Sequence, residues 1–325
     1  MGRQDANPEN ADNLGRTALL YATIKGKELV VKQLLARQGI NPDKSDCNGS
    51  TPLIEAAYGG HGSVVKQFLD RQDVNPDKPA NDGRTPLWWA ALHGQELVVK
   101  QLLDRQDVNP ERLDNEGRAP LSYAAGLGHE SVVKWFLARQ DVDPDKPDNE
   151  DRTPLSYTAF NGKVSVVKQL LDRLDVNPNK PDNEGKTPLL YAAVSGDVSV
   201  VKQLLDREDV SPDKPDNEGR TPLWWAVDHG HELVVKQLLD RQDVNPDMLD
   251  NEGRAPLSYA ARKGHESVVK QFLYRQDISP DKPDCWGVSP LIEAASGGHE
   301  SVVKQLLVRQ DVDPDKPDNE GRTPL

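Results

Sequence analysis

Histidine is the residue type in this chain most suited to metal or acid–base chemistry, and its spacing can be read directly. There are seven histidines, and His229-Gly230-His231 places two of them two residues apart. Imidazole is a common zinc ligand. Side chains at one phase of stacked repeats lie roughly 10 Å apart, about a helix diameter, which is too far to share a metal ion. We therefore predict structural histidines and no metal site, because five histidines share one phase of a 34-residue repeat: His61, His129, His231, His265 and His299.

The cysteines and the other candidate catalytic side chains are separated by the same repeat. Cys47 and Cys285 occupy one phase, seven repeats apart. At roughly 10 Å per repeat they cannot come within the limit of about 7 Å between Cα atoms that a disulfide needs. Serine, histidine, aspartate and glutamate recur repeat by repeat, without a glycine-rich phosphate loop or a nucleophile elbow. We therefore predict no disulfide within the chain, no enzymatic activity and no cofactor.

The composition narrows the classes of partner. The 325 residues carry a formal net charge of −13, with 36% hydrophobic and 29% charged residues. Nucleic acids and anionic membranes select clustered Lys and Arg, so we expect neither as a partner. The sequence shows no signal peptide and no window approaching about 18 apolar residues, and two isolated thiols suit a reducing compartment. We expect a monomeric protein of the cytoplasm or nucleus whose partner is another protein.

An internal repeat supplies the elements that hold these residues. Thr51-Pro52-Leu53 recurs, with close variants, every 34 residues from Thr17 to Thr323. Nine such steps separate these two threonines, and no insertion breaks the register. A fixed period of this length is typical of stacked supersecondary units.

The repeat at residues 216–249 shows how one unit is built. Asp216 and Gly219 predict a tight turn, and Thr221 followed by Pro222 predicts the start of a helix. Two short helices and a loop cannot bury an apolar stripe alone, so neighbouring repeats must stack. The second helix carries such a stripe, formed by Val234, Val235, Leu238 and Leu239.

The run Asp-x-x-Gly-x-Thr-Pro-Leu-x-x-Ala-Ala-x-x-Gly-His-x-x-Val-Val resembles the ankyrin repeat, and it covers essentially the whole chain. The resemblance implies an all-α fold, an ankyrin-repeat solenoid of helix-turn-helix units with long hairpin-like loops. We expect residues 1–325 to form a single domain of nine full 34-residue repeats with partial repeats at both ends. The amino-acid sequence of the loop also resembles the loops of ankyrin arrays in fungal nucleotide-binding immune-type receptors. Because the chain starts within the loop sequence of a repeat and stops just after Thr323-Pro324, we expect it to be a fragment or a truncated gene product.

Several positions depart from the repeat pattern. The histidine that ankyrin repeats usually carry after Thr-Pro-Leu is absent throughout. Ala119 and Ala255 stand where Thr or Ser would cap the first helix, which predicts a loss of about 1 kcal/mol each. Ala80 replaces the turn aspartate, and Asp151 replaces the turn glycine. Asp tolerates left-handed backbone better than most residues, so we expect that turn to be weakened rather than broken.

The end of the first helix is the first candidate binding region. In ankyrin arrays this end and the loop tip line a concave face that similar proteins use for binding. An apolar stripe on an exposed groove indicates a partner, whereas drift at unconstrained positions is the alternative. The third to sixth repeats each place one apolar residue there: Leu92, Leu127, Phe160 and Val194.

Two Trp-Trp pairs, Trp88-Trp89 and Trp224-Trp225, form the second candidate feature. His93 and His229 follow the second Trp of each pair by four residues, so Trp and His can meet on one helix face. Trp is enriched at binding hot spots. Packing is the alternative, because tyrosine holds the same position in other repeats: Tyr123, Tyr157, Tyr191 and Tyr259.

These features together predict a non-enzymatic protein–protein interaction scaffold that binds a partner through its concave face. A structural spacer or regulatory arm of a larger receptor is the alternative. A small-molecule site or an enzyme built around the Trp pairs is the third hypothesis. The predicted partner-binding residues are Trp89, Leu92, His93, Leu127, Phe160, Val194, Trp225, His229 and Arg262.

Overall fold

The structure is a computed structural model, and it describes residues 7–324. The start of the predicted N-terminal partial repeat, residues 1–6, and the last residue, Leu325, lie outside the described residues. The chain divides into two compact units between Pro154 and Leu155. We refer to them as the N-terminal half and the C-terminal half.

Each repeat contributes two short helices, as the sequence predicts. In the N-terminal half these are α1 (Ala18–Ile24), α2 (Glu28–Leu35), α3 (Pro52–Tyr58), α4 (Gly62–Leu69), α5 (Pro86–Leu92), α6 (Glu96–Leu103), α7 (Pro120–Leu127) and α8 (Glu130–Leu137). In the C-terminal half they are α9 (Pro154–Phe160), α10 (Val164–Leu171), α11 (Pro188–Ser195), α12 (Val198–Leu205), α13 (Pro222–Asp228), α14 (Glu232–Leu239), α15 (Pro256–Lys263), α16 (Glu266–Tyr274), α17 (Pro290–Ser296) and α18 (Glu300–Leu307).

Repeat 1 thus contains α1 and α2, and repeat 9 contains α17 and α18. Odd-numbered helices are the first helices of their repeats, and even-numbered helices are the second. Across residues 7–324 no β-strand is present, and the only extended pairing is an isolated bridge between Ala11 and Thr17. The predicted all-α solenoid fold is confirmed.

The core of each half lies between its two layers of helices. First helices pack against the first helices of adjacent repeats, as α3 does against α5 and α13 against α15. Second helices pack in the same way, as α4 does against α6 and α14 against α16. The four residues of the apolar stripe predicted for repeat 7 are buried: Val234, Val235, Leu238 and Leu239. The bulkiest fully buried side chains are Trp88, Phe68, Phe136 and Phe272.

The first helices begin where the Thr-Pro pair predicts. The hydroxyl of Thr51 accepts a hydrogen bond from the Ile54 amide at 3.2 Å, which satisfies one of the donors that a helix start leaves unpaired. Ala119 has no side-chain acceptor, and the Ser122 amide donates instead to the Ala119 carbonyl at 3.1 Å. The same loss occurs at Ala255. The predicted absence of a side-chain cap in repeats 4 and 8 is therefore confirmed.

The turn aspartate shapes the loop tip that precedes each first helix. Oδ1 of Asp216 accepts hydrogen bonds from the amides of Glu218 at 3.0 Å and Arg220 at 2.9 Å. An aspartate can hold a tight turn in this way because its side chain substitutes for backbone acceptors. Where the turn glycine is missing, Asp151 adopts a φ of 60°, the one positive φ outside glycine in residues 7–324. The turn is retained in left-handed geometry, as predicted.

An arginine after the second helix ties consecutive repeats together. Arg105 binds both carboxylate oxygens of Asp107 at 2.7 Å, through Nε and Nη2, and this pairing lowers the pKa of Asp107. Nη1 of the same guanidinium donates to the Leu69 carbonyl of the preceding repeat at 2.8 Å. In the C-terminal half, Arg241 reaches the Leu205 carbonyl in the same way at 2.9 Å. The bonded carbonyls end second helices, where acceptors have no partner within the helix.

Histidines that directly precede second helices make a similar bond to the first helix of the preceding repeat. Nε2 of His129 donates to the Leu92 carbonyl at 2.9 Å, and Nε2 of His231 donates to the Val194 carbonyl at 3.0 Å. The equivalent bond recurs in repeats 2 and 9. Four of the five histidines at this phase are thus committed to a backbone acceptor, as a structural role predicts, whereas Nε2 of His265 makes no well-formed hydrogen bond.

Restoring the missing cap should stabilise repeat 4. Thr51 is buried in repeat 2 and Ala119 is buried in repeat 4, so the repeat accommodates a threonine there. We expect Ala119→Thr to raise the free energy of unfolding by about 1 kcal/mol, because the Ser122 amide gains a side-chain acceptor. Urea denaturation followed by circular dichroism measures the gain. Ala119→Val has the shape of threonine without its hydroxyl, and an equal gain in both variants would contradict the capping explanation.

His265 should make the stability of the C-terminal half depend on pH. Burial, followed by the ammonium of Lys263, lowers the pKa of His265, although Asp228 partly offsets the effect. Nε2 of His265 is buried without a well-formed hydrogen bond. Between the lowered pKa and the ordinary value of about 6.5, the unfolded chain binds a proton that the folded chain does not. The free energy of unfolding should therefore decrease as the pH falls through this window.

The chain itself suggests the substitution that tests this prediction, because repeat 3 carries Gln95 at the position equivalent to His265. We expect His265→Gln to lose less stability than the natural chain between pH 7.5 and pH 5. Urea midpoints at both pH values measure the difference. Equal losses in the two proteins would show that His265 does not contribute to the acid sensitivity.

Candidate functional site

The nine predicted binding residues lie on the last two turns of first helices or directly after them. Leu127 is 48% exposed and Phe160 is 50% exposed, whereas Leu92 and Val194 are half-buried. The apolar residues thus form one pair in each half, and each pair has one member that is open to solvent. Trp89, Leu92, His93 and Leu127 belong to the N-terminal half, and Phe160, Val194, Trp225, His229 and Arg262 belong to the C-terminal half.

An aromatic cluster forms between repeats 2 and 3 in the N-terminal half. The rings of Trp89 and His93 are stacked, with centroids 6.0 Å apart. Tyr58 of the preceding repeat meets both rings edge-on, at 5.3 Å from Trp89 and 4.6 Å from His93. Trp89 and His93 do share a helix face, and Tyr58, which is 50% exposed, extends that face into the neighbouring repeat.

The second Trp-His pair has a different environment in the C-terminal half. The rings of Trp225 and His229 are 5.6 Å apart, and His229 in turn stacks on His231 at 5.7 Å. Nε1 of Trp225 donates to Oδ2 of Asp216 at 3.0 Å. This tryptophan is therefore tied to the turn aspartate of its own repeat.

Packing accounts for much of the Trp-Trp pattern. Trp88 is 1% exposed and Trp224 is 5% exposed, so the first Trp of each pair belongs to the core. Tyrosine replaces the second Trp in repeats 4 and 8, where the hydroxyls of Tyr123 and Tyr259 donate to the turn aspartate at 3.0 Å. Burial is the first cause that raises the pKa of each hydroxyl, to about 12. The packing alternative therefore describes the ring position well in these repeats.

The aromatic cluster of the N-terminal half lies beside a cavity. A cavity of about 460 Å³ lies between repeats 2 and 3. Its lining includes Asp46, Glu55, Tyr58, Arg84 and Trp89. We call it the repeat 2–3 cavity. It combines two aromatic rings, carboxylates and a guanidinium, which is a lining suited to a charged or planar group.

Sequence reasoning selected Trp89 from this lining and missed Tyr58, Glu55 and Arg84. The signal that could have found them is a pair of adjacent departures from the repeat. Ser50 stands where most repeats carry arginine, and Ala80 stands where most carry the turn aspartate. Each departure is unremarkable alone, but together they remove two large side chains from one border.

Other site types have little support in the described part of the chain. Within residues 7–324 no three His, Cys, Asp or Glu side chains are placed to hold one metal ion. Cys47 and Cys285 are both free and exposed. None of the described helices is long and apolar enough to cross a membrane.

Comparison with known proteins agrees with this architecture. The model described as ankyrin repeats (3 copies) matches residues 2–78, 59–148, 127–216 and 201–284, and the single ankyrin repeat model matches residues 286–319. A solved structure, the crystal structure of the human ASB11 ankyrin repeat domain, is 28% identical with a TM-score of 0.59. The alignment covers 65% of this chain and 92% of that one.

A search of the curated proteins gave no match. The family models nevertheless cover nearly the whole chain, and the helix pairs recur throughout the described residues. The chain belongs to the ankyrin-repeat family.

Proposed function

We propose that this chain is a non-enzymatic scaffold that binds a partner protein through the concave face lined by its first-helix ends and loop tips. Ankyrin repeats are in general modules of protein–protein interaction. The observation that carries the proposal is the exposure of large apolar side chains at first-helix ends. Tyr58 and Leu127 in the N-terminal half and Phe160 in the C-terminal half are each about half exposed, and large exposed apolar groups favour association.

The inter-repeat bonds support this function because they hold the surface in place before binding. His129 fixes the carbonyl of Leu92 at 2.9 Å, and His231 fixes that of Val194 at 3.0 Å. These carbonyls belong to the residues proposed to contact the partner. A surface that is already ordered loses little conformational entropy when it binds. We therefore attribute to the repeat lattice a preformed recognition surface rather than one that folds on its partner.

A structural spacer or regulatory arm within a larger receptor is the second candidate. The loop sequence, which resembles that of the arrays of fungal nucleotide-binding immune-type receptors, favours the spacer or regulatory arm. A spacer needs the repeat lattice but not the exposed groups at the first-helix ends. The two functions therefore differ in what they require of Tyr58, Leu127 and Phe160.

Charged substitutions at the exposed first-helix ends should abolish partner binding. We expect the triple variant Tyr58→Glu, Leu127→Glu and Phe160→Glu to bind at least about tenfold more weakly, because hot-spot side chains contribute more than about 1 kcal/mol each. Affinity capture from a lysate of the source cells, with quantitative mass spectrometry, identifies what the natural chain retains. The affinity of both chains for that protein is then measured by calorimetry.

The control variant carries the same kind of change elsewhere. Leu174 is 95% exposed and Leu233 is 67% exposed, and neither lies in a first helix. Leu174→Glu and Leu233→Glu together should leave the affinity unchanged, and circular dichroism should show that both variants fold. If both variants retain the same protein as the natural chain, the concave-face proposal fails and the spacer function takes its place.

A further inference from the structure

The two Trp-Trp repeats allow an internal comparison, because repeat 7 shows how the second Trp is normally surrounded. Arg220 of the same repeat lies over the Trp225 ring, 4.4 Å from its centroid. Lys186 of the preceding repeat lies over the same ring at 5.4 Å. With the bond from Nε1 to Asp216, the ring is contacted by two cations and one carboxylate of its own chain.

Repeat 3 lacks two of these three charged groups. Arg84 is retained and lies 5.4 Å from the centroid of the Trp89 ring. Ala80 stands in place of Asp216, so no turn carboxylate is present, and Ser50 stands in place of Lys186, so the preceding repeat supplies no cation. Both of these small residues, Ser50 and Ala80, line the repeat 2–3 cavity of about 460 Å³.

The carboxylates at this border exceed the cations. Asp46 and Glu55 line the cavity from repeat 2. Oδ1 of Asp46 accepts hydrogen bonds from the amides of Asn48 and Ser50, and Glu55 accepts one from the hydroxyl of Ser50 at 2.6 Å. Asp82 also lines the cavity, but its carboxylate forms an ion pair with the guanidinium of Arg84 at 3.3 Å. The cavity therefore presents two carboxylates without a cationic partner among its lining residues, beside the rings of Tyr58 and Trp89.

We propose that the repeat 2–3 cavity binds the guanidinium of an arginine side chain presented by the partner protein. This deepens the proposed function and rests on it for the identity of the molecule that carries the arginine. The guanidinium would take the place that Ser50 leaves empty, pairing with Asp46 and Glu55 and lying against Trp89. The chain's net charge of −13 would attract a basic partner over distance.

Arginine suits the cavity better than lysine for two reasons. A guanidinium is planar, stacks on aromatic rings and presents several donors to carboxylates, whereas an ammonium is a compact, strongly hydrated charge. The chain itself also uses arginine at this phase. Among the ten residues at the phase of Ser50, seven are arginine and one is lysine. An arginine from outside would take the position over the Trp89 ring that Lys186 holds over Trp225, with the planar group that the chain carries at most positions of this phase.

Binding of a small guanidinium probe tests the cavity without any partner protein. N-acetyl-arginine methylamide should shift the indole N–H signal of Trp89 in ¹H–¹⁵N NMR spectra of the full chain, with the signal assigned from Trp89→Phe. The citrulline analogue has the same shape without the charge, and it should bind at least tenfold more weakly. Equal shifts with both probes, or no shift of the Trp89 signal with either, would overturn the proposal.

Two variants localise the binding. Ser50→Arg supplies the missing guanidinium from within, and Glu55→Gln removes one carboxylate without changing its shape. Each should weaken probe binding at least tenfold, and Glu55→Gln keeps the test valid if Ser50→Arg folds poorly. Val288→Arg introduces the same side chain at the same phase of repeat 9 and should leave the Trp89 shift unchanged. Unaltered binding in both cavity variants would refute the assignment.

The same variants distinguish failure of the guanidinium site from failure of the proposed concave-face function. If the captured partner protein also depends on the cavity, Ser50→Arg should reduce its affinity at least tenfold while Val288→Arg does not. A probe that binds as expected, with no partner lost in the Tyr58, Leu127 and Phe160 variant, would reject the concave-face function and keep the guanidinium site. A partner that is lost from that variant, with a probe that does not bind, would reject the site and keep the function.

Discussion

The structure depends on the constraint that a single repeat cannot complete its own hydrogen bonds. Carbonyls near the ends of many helices are satisfied by the next repeat, as Leu69 is by Arg105 at 2.8 Å and Leu92 is by His129 at 2.9 Å. A buried acceptor left without a donor costs about 1–3 kcal/mol. One inserted residue between Arg105 and His129 would shift one bond system against the other, which explains why the 34-residue spacing is kept throughout.

Much of the fold follows from local spacing, and such features could be predicted from the sequence. Thr221 and Pro222 start a helix because a cap and its amide lie within one turn, and the Val234 stripe is buried because its members share one helix face. The effects of residues that depart from the repeat pattern could also be predicted from their local sequence. Ala119 lacks a side-chain cap and Asp151 adopts left-handed backbone, because both effects are decided by the residue and its immediate neighbours.

Features that depend on two repeats at once could not be predicted in the same way. The role of Arg105 requires knowing that its guanidinium reaches a carbonyl 36 residues earlier in the chain. The cluster of Tyr58 with Trp89 and His93 requires the register between α3 and α5. Ala80 is visible in the sequence as a defect, but its consequence appears only when Ser50 is placed across the same border. The candidate site is therefore less predictable than the fold that holds it.

Near-identical repeats within one chain offer a way to separate folding from recognition. Trp88 and Trp224 are both buried and lie in the first turn of first helices with nearly the same sequence, so their shared environment reports what folding requires. Trp89 and Trp225 have the same backbone position but different neighbours, since Lys186 and Asp216 surround only the latter. Repeat 3 folds without these two charged groups, so the lattice does not require them there. The border between repeats 2 and 3 lacks two of the three charged groups found around Trp225 but keeps Arg84, its aromatic rings and the carboxylates of repeat 2, which is why our proposal places the partner's arginine there.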